Sequence, residues 1–317
     1  MIWRPTAELG VLRRRAATVA RIREYFARTG ALEVDTPLLC AHGVTDPALE
    51  NFAVPCGEAG TAYLQTSPEF AMKRLLAAGS GDIWQLCHAF RREEAGRLHN
   101  PEFTMLEWYR VGRDHHALMD DVARLLEAVG CARPQRRTSY AALCLEHAGL
   151  DPHHATTGEL VDLVARWNVA LGPVDLADRA LLLDVVFSHA VLPALESAGA
   201  VFVYDFPREH AAYARLSAGS PPLGERFELI VDGMEIANGY HEIGDAAEQR
   251  ARQEAENDCR RRRGLAPMTL DAAFLAALAH GLPPCAGVAL GLERLLLVLE
   301  GRRELASVMS FYGAAGS

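Results

Sequence analysis

His88-Ala-Phe90-Arg91-Arg-Glu93-Glu-Ala-Gly96-Arg-Leu-His99-Asn100-Pro101-Glu-Phe103-Thr-Met105-Leu-Glu107-Trp-Tyr109 is the stretch on which the reading of this chain turns. Two apolar-rich segments, Ile83 to Phe90 and Phe103 to Val111, flank a polar loop with Gly96, Asn100 and Pro101, the pattern of two strands joined by a long turn. The spacing predicts an antiparallel hairpin. On its second strand a period of two puts Phe103, Met105, Glu107 and Tyr109 on one face and Thr104, Leu106 and Trp108 on the other. At roughly 3.4 Å per residue, Phe103 and Glu107 stand about 13–14 Å apart, the span of an extended molecule with a flat aromatic end and a cationic end, such as an aminoacyl-adenylate. Arg91, closing the first strand, offers a planar fork of donors to a phosphate or carboxylate lying between them. An ordinary amphipathic hairpin with solvated charges is the competing reading of this stretch alone.

A second chemical stretch runs from Arg226 to Glu242, Arg-Phe-Glu228-Leu-Ile-Val-Asp232-Gly233-Met-Glu235-Ile-Ala237-Asn238-Gly-Tyr240-His-Glu242. Asp232-Gly233 between alternating apolar residues is a strong two-residue hairpin signal. Pairing outward matches Val231 with Met234, Ile230 with Glu235 and Glu228 with Ala237, so Glu228 and Glu235 share a face as diagonal neighbours. Two such acids repel unless a cation lies between them, which suggests Mg²⁺ held together with nucleotide phosphates; two exposed strand acids are the bland alternative. Simple alternation puts Asn238, Tyr240 and Glu242 on the other face. A bulge near Asn238-Gly239 would bring them round.

The third stretch is Cys285-Ala-Gly287-Val-Ala289-Leu-Gly291-Leu-Glu293-Arg294, a strand passing through glycines into a helix. With Phe90-Arg91-x-Glu93 … His99-x-x-x-Phe103 it resembles the class II aminoacyl-tRNA synthetases, motif 3 and motif 2 respectively. The helix Val11 to Thr29, Gly30, and a strand from Ala31 to Leu39 ended by proline look like their motif 1. His-Asn-Pro-Glu-Phe-Thr-Met-Leu-Glu-Trp-Tyr is similar to the lysyl-specific version of motif 2. The expected fold is therefore α+β, a class II synthetase-type antiparallel sheet flanked by helices.

The resemblance implies roles residue by residue. Arg91 would hold the α-phosphate and the substrate carboxylate, Arg294 the γ-phosphate and the second face of adenine, and these two are the catalytic candidates. Glu93, His99 and Asn100 would help bind ATP, and Phe103 would stack on adenine. Glu107 and Tyr109 would hold a distal amine together with Glu242. Glu69, with Ser67 beside it, would take the amine at the reactive end, Asn238 the carboxylate, and Tyr240 would wall the pocket. Glu228 and Glu235 would ligate Mg²⁺. Ala289 stands where motif 3 has its middle glycine, and a methyl there would narrow the pocket against ordinary α-lysine.

Length and composition agree with this. The 317 residues suffice for one large domain, and 50% apolar with 23% charged residues are those of a soluble globular protein. A net charge of −9 argues against a broad nucleic-acid-binding face. No apolar run is long enough to span a membrane, and the start lacks the apolar core of a signal peptide, so a cytoplasmic protein without membrane contact is expected. Seven cysteines, odd in number and without a C-x-x-C pair, indicate neither a disulfide framework nor a zinc site.

Elsewhere, residues 40–60 read as loop, and Tyr63 to Ser67 as a strand entering a helix from Glu69 to Ala78, with Ser67 at the N-cap and Pro68 at N1. Residues 114–130 and 137–200 read mainly as helices with breaks at Gly149-Pro152 and Gly172-Pro173. His115-His116 and His153-His154 read as solvated pairs, since neighbours on a regular element point to different sides. Helices are expected over Asp245 to Arg263 and Asp271 to His280. The chain is expected to be a single catalytic domain over 1–317, with a mainly helical insertion at about 114–220 between motifs 2 and 3.

Motif 1 begins within about ten residues of the start, with no anticodon-binding barrel ahead of it. Among bare cores of this kind the sequence is most similar to the elongation factor P lysine ligases, whose members activate (R)-β-lysine with ATP and Mg²⁺ and transfer it to a lysine side chain of elongation factor P. A homodimer through motif 1 is implied, with no tRNA partner. The rivals are a minimal lysyl-tRNA synthetase-like enzyme activating α-lysine, an asparagine synthetase-type core, disfavoured because Glu107 and Glu242 would face a carboxylate, and a non-catalytic regulatory subunit, expected to have lost residues such as Arg91 and Arg294.

Overall fold

The computed structural model describes residues 3–92, 95–131, 133 and 135–313. The chain divides into two compact units, one built from the residues up to 113 with 121–131 and the residues from 244 on, the other from 114–120 with 132–243.

In the first unit, Ile83–Phe90 pairs antiparallel with Glu102–Val111, which pairs antiparallel with Cys285–Gly291; the two-residue strand Leu32–Glu33 lies parallel on the outer side of Ile83–Phe90. The predicted antiparallel hairpin at 83–111 is present, with Phe90 opposite Glu102 and Glu107 opposite Gln85. Helix Leu9–Thr29 covers one side. Its Val11, Ile22 and Phe26 are fully buried, each worth about 1.5–3 kcal/mol, and Phe26 stacks on Trp84 at 4.7 Å and meets Trp108 edge-on at 5.5 Å. The helix stops where Gly30 takes the left-handed conformation (φ 75°), which lets its N–H reach back to the last turn. Asp121 knits the same layer, accepting from Trp108 Nε1 at 3.0 Å and Arg110 Nε at 2.7 Å. Helix Glu69–Ala77 is clasped by helix Ala272–Gly281 through stacked Phe70 and Phe274, 4.3 Å apart. Helices Ala246–Arg262 and Ala272–Gly281 begin on the Asp245 and Asp271 caps, each accepting two backbone N–H groups.

Three local expectations are corrected. The strand predicted over Ala31 to Leu39 is two short pieces, Leu32–Glu33 and Leu39–Cys40; Pro37, which lacks an N–H, falls between them, and the second piece joins a separate sheet with Thr61–Leu64 and Ala53–Pro55. The 40–60 loop therefore contains a strand. Helix Glu69–Ala77 starts at the predicted residue and ends one short of Ala78, but Pro68 rather than Ser67 occupies the N-cap, and Ser67 Oγ accepts from the Glu69 N–H at 3.0 Å.

In the second unit, Leu223–Val231 and Met234–His241 form the predicted hairpin, with Asp232 and Gly233 both at positive φ (50° and 76°), the turn that suits the twist of the strands. Ala200–Pro207 pairs antiparallel with Leu223–Val231, and Gln135–Ser139 runs parallel to Ala200–Pro207. These two strands were not foreseen; Val201, Phe202 and Val203 form a continuous apolar run without alternation, because both faces are buried. Helices Tyr140–Ala148, Thr157–Val164 and Arg179–Val186 account for most of the predicted helical region. Tyr140, Leu143, Val201, Val203, Phe206 and Ile230 form one core, and Leu160, Leu163, Leu182 and Val186 belong to another.

Candidate active site

The first unit gathers a buried acid and its partners on the strand face the alternation predicts. Glu107 is only 2% exposed, yet both its oxygens are engaged: Oε1 accepts from Tyr109 Oη at 2.6 Å and Oε2 from Ser67 Oγ at 2.7 Å. Burial pushes its carboxyl up to about 7; the nearby Glu69 carboxylate adds to this, while Tyr109, Ser67 and Lys73 pull it back. Glu69, on the first turn of its helix, is paired with Lys73 one turn on at 2.5 Å. Lys73 has no exposed surface, lying 6.0 Å from the Phe274 ring. Two carboxylates close to one another against one fixed lysine leave an excess of negative charge, which suits a ligand bringing an ammonium. Ala289 pairs directly opposite Glu107, so its methyl sits beside this carboxylate on the same face.

Farther along the same face, the Arg91 guanidinium lies over the Phe103 ring at 5.2 Å. His99 Nε2 accepts from Arg294 Nη2 at 2.8 Å, and Arg294 Nε reaches the Leu98 carbonyl at 3.4 Å. The turn carrying these residues is pinned by the end of the chain: Tyr312 Oη donates to the Gly96 carbonyl at 2.7 Å, the Gly313 N–H to Asn100 Oδ1 at 3.3 Å, and the Leu305 N–H to the Arg97 carbonyl at 3.1 Å. Glu293, 5% exposed, accepts from the Thr104 N–H at 2.9 Å and ties the helix that presents Arg294 to the strand that presents Phe103. The structure thus brings Arg91 to Phe103 and His99 to Arg294. Glu93 falls outside the described residues.

The hairpin of the second unit carries the remaining candidates. A bulge between Glu235 and Ala237 inserts Ile236, so that Ala237 pairs with Leu229, Asn238 with Glu228 and Tyr240 with Arg226. The predicted partner of Glu228, Ala237, is therefore wrong by one residue, and the bulge lies before Asn238 rather than at Asn238-Gly239. Its effect is the one required: beyond it the alternation changes phase, and Asn238 and Tyr240 join Glu228 and Glu235 on one face. Arg226 binds that face together, donating Nε to Asn238 Oδ1 at 3.1 Å and Nη2 to Glu228 Oε1 at 2.5 Å and lying 5.8 Å from the Tyr240 ring. Burial pushes Glu228 up to about 7 against the pull of Arg226, with Glu235 and Asp184 adding to the rise. Glu242 is 5% exposed.

Two residues in this machinery were not singled out from sequence. Lys73 follows Glu69 at the i,i+4 spacing of helical ion pairs, and Arg226 precedes Glu228 by two on a strand; both signals are visible once the elements are placed. The predicted separation of His115 from His116 is also corrected. Successive helical residues are about 100° apart rather than opposed, and the two rings lie together with centroids at 4.1 Å, His115 being buried.

Residues 3–313 match a family model described as tRNA synthetases class II (D, K and N). The chain is 45% identical to "Elongation factor P--(R)-beta-lysine ligase" of Vibrio cholerae and 44% identical to the proteins of that name from Vibrio vulnificus and Pasteurella multocida, in each case over 98% of this chain and 97% of the relative. The chain belongs to the class II tRNA synthetases of the D, K and N group, among the elongation factor P–(R)-β-lysine ligases. It is an α+β protein of that family. Family membership makes it an ATP-dependent ligase. Among the described residues no helix is long and apolar enough to cross a membrane.

Proposed function

We propose that the protein activates (R)-β-lysine with ATP as the acyl-adenylate and transfers it to a lysine side chain of elongation factor P. The observation that carries this reading is the buried Glu107, held by Tyr109 and Ser67 and close enough to Glu69 to feel its charge, an arrangement that favours a ligand with ammonium groups. The names of the relatives, at 44–45% identity along nearly the whole chain, point the same way.

In this reading a substrate carboxylate oxygen attacks the α-phosphorus, the bond to pyrophosphate breaks, and a mixed anhydride forms. The acceptor amine then attacks its carbonyl carbon, making an amide and releasing AMP. Arg91 and Arg294 offset the charge that develops on the phosphate oxygens, His99 and Asn100 assist in holding the nucleotide, and Phe103 stacks on adenine. Ser67, Glu69, Glu107, Tyr109 and Glu242 hold the amines, and Asn238 and Tyr240 the remainder of the amino acid. No enzyme nucleophile is needed; positioning supplies the acceleration.

Glu228 and Glu235 are our candidates for Mg²⁺. Their fit rests on the hairpin register, which puts both carboxylates on one face; the upward push of Glu235 on the Glu228 carboxyl is a repulsion that a cation would relieve even though Arg226 engages one Glu228 oxygen. Bound there with ATP, the ion would neutralise phosphate charge.

Leu32, Leu38 and Leu39, 56%, 38% and 47% exposed, are apolar side chains of the motif 1 segment, which we assign to a homodimer contact. We assign the protein to the cytoplasm and expect no tRNA partner.

The test is amino-acid-dependent ATP–pyrophosphate exchange with α-lysine, both β-lysine enantiomers and aspartate, followed by transfer to purified elongation factor P. Exchange led by (R)-β-lysine supports the reading; exchange led by α-lysine makes the protein a lysyl-tRNA synthetase-like core, and none at all makes it a regulatory subunit. Ala289→Gly is expected to raise exchange with α-lysine relative to β-lysine by about 10-fold or more, since one methyl in a fitted pocket is worth about 1–3 kcal/mol.

A further inference from the structure

The second unit contains a set of side chains that the ligase chemistry does not use. His115, the first residue of helix His115–Ala128, is 5% exposed, and neither of its ring nitrogens has a hydrogen-bond partner among the described residues. A buried imidazole with both nitrogens unsatisfied is costly, and such a group calls for a specific explanation. Around it stand Glu225 and His241, and the three residues each offer a ligand atom within 4.8 Å of the others. Glu225 and His241 are themselves linked, His241 Nδ1 to Glu225 Oε2 at 2.6 Å. Both lie on the side of the hairpin opposite Arg226, Glu228, Asn238 and Tyr240, because each is one residue away from a member of that face.

We propose that His115, Glu225 and His241 form a transition-metal site of the zinc class. Two imidazoles and one carboxylate are a known donor set for that ion, and a tetrahedral ion with bonds of about 2.0–2.1 Å needs its donors about 3.3–3.4 Å apart, a gap that side-chain rotation closes from the observed spacing. Three protein donors leave the fourth position to water or an external ligand. The Asp205 carboxylate, 3.7 Å from His115 Nε2, is placed by a left-handed backbone (φ 57°) at a bulge in its strand and serves as the outer carboxylate that orients this imidazole. The other charged neighbours include Asp114, whose carboxylate interacts electrostatically with His115, His116 and His241, Arg215, whose Nε is 3.6 Å from Glu225 Oε2, and His116 beside His115. His115, His116 and Asp205 also lie within ligand distance of one another, but His116 is exposed and packs edge-on against Tyr204. A metal on the chosen trio ties the start of the helix to both strands of the hairpin, and so braces from behind the strand that presents Asn238, Tyr240 and Glu242.

The full chain, stripped with chelator, is titrated with Zn²⁺ against a chromophoric competitor and with Co²⁺ by its visible absorption. One equivalent per chain is expected, with a visible Co²⁺ band and a rise in melting temperature. Because His115 is buried, the part-exposed ligands carry the test: His241→Gln and Glu225→Gln each weaken binding by about 10-fold or more, while His116→Gln leaves it unchanged. Substoichiometric binding, or a His241→Gln variant that binds as the parent does, overturns the proposal, as does loss of binding in His116→Gln with His241→Gln intact.

Discussion

Glu107 is poised at the middle of the accessible pH range because burial and Glu69 outweigh the hydroxyls that hold it. The amine-binding form is the carboxylate, so the KM for β-lysine in pyrophosphate exchange is expected to fall as pH rises through about 7. Glu107→Gln keeps the shape but removes the charge, and is expected to lower kcat/KM by about 30-fold to several thousand-fold, the equivalent of about 2–5 kcal/mol. The same substitution affects stability in the opposite sense. Between the ordinary carboxylate range near 4.5 and about 7, the folded chain keeps a proton that the unfolded chain has released, so Glu107 destabilises the fold progressively as pH climbs through that window. Denaturant titrations of parent and variant at about pH 5 and about pH 8 should therefore show Glu107→Gln gaining stability relative to the parent at the higher pH. Lys73→Met, which removes the cation next to Glu69, is expected to raise the Glu107 carboxyl further and move the rise of exchange activity to higher pH.

At the scale of elements, the parts legible in the sequence were those with a local period or a turn signal. The 83–111 hairpin follows from alternation, the 223–241 hairpin from Asp232-Gly233, and the helix ends from Gly30, Asp245 and Asp271. Phe103, Glu107 and Tyr109 were placed on one face by spacing alone. What escaped has no local signature: the position of the bulge at Ile236 depends on which register buries the better set of side chains, and the fully buried strand at Ala200–Pro207 lacks the period that would distinguish it from helix. The burial of His115 depends on neighbours distant in sequence. Deletion of Ile236 removes only the extra residue and leaves Ala237 opposite Leu229, Asn238 opposite Glu228 and Tyr240 opposite Arg226, so exchange is expected to survive it. One residue inserted between Ala237 and Asn238 is instead expected to preserve the hairpin, as read by far-ultraviolet circular dichroism, while abolishing exchange, because Asn238, Tyr240 and Glu242 would exchange faces with their neighbours.

At the scale of the whole molecule, a net charge of −9 keeps separate copies apart, so association depends on a local apolar contact rather than on general attraction. The exposed leucines around Pro37 are the candidate. Leu39→Asp is expected to shift a dimer to monomer in sedimentation velocity while leaving the melting temperature nearly unchanged, since the side chain is already half-exposed in the single chain. The resemblance that identifies the family was legible along nearly all of the chain, because the motifs are short runs whose residue types meet one ligand.

The bulge makes the second hairpin behave like a reading frame. One residue is out of step, and every side chain after it is read in the shifted frame. A residue inserted between Ala237 and Asn238 is then a frameshift, and deletion of Ile236 would suppress it, restoring Asn238, Tyr240 and Glu242 without restoring the original sequence.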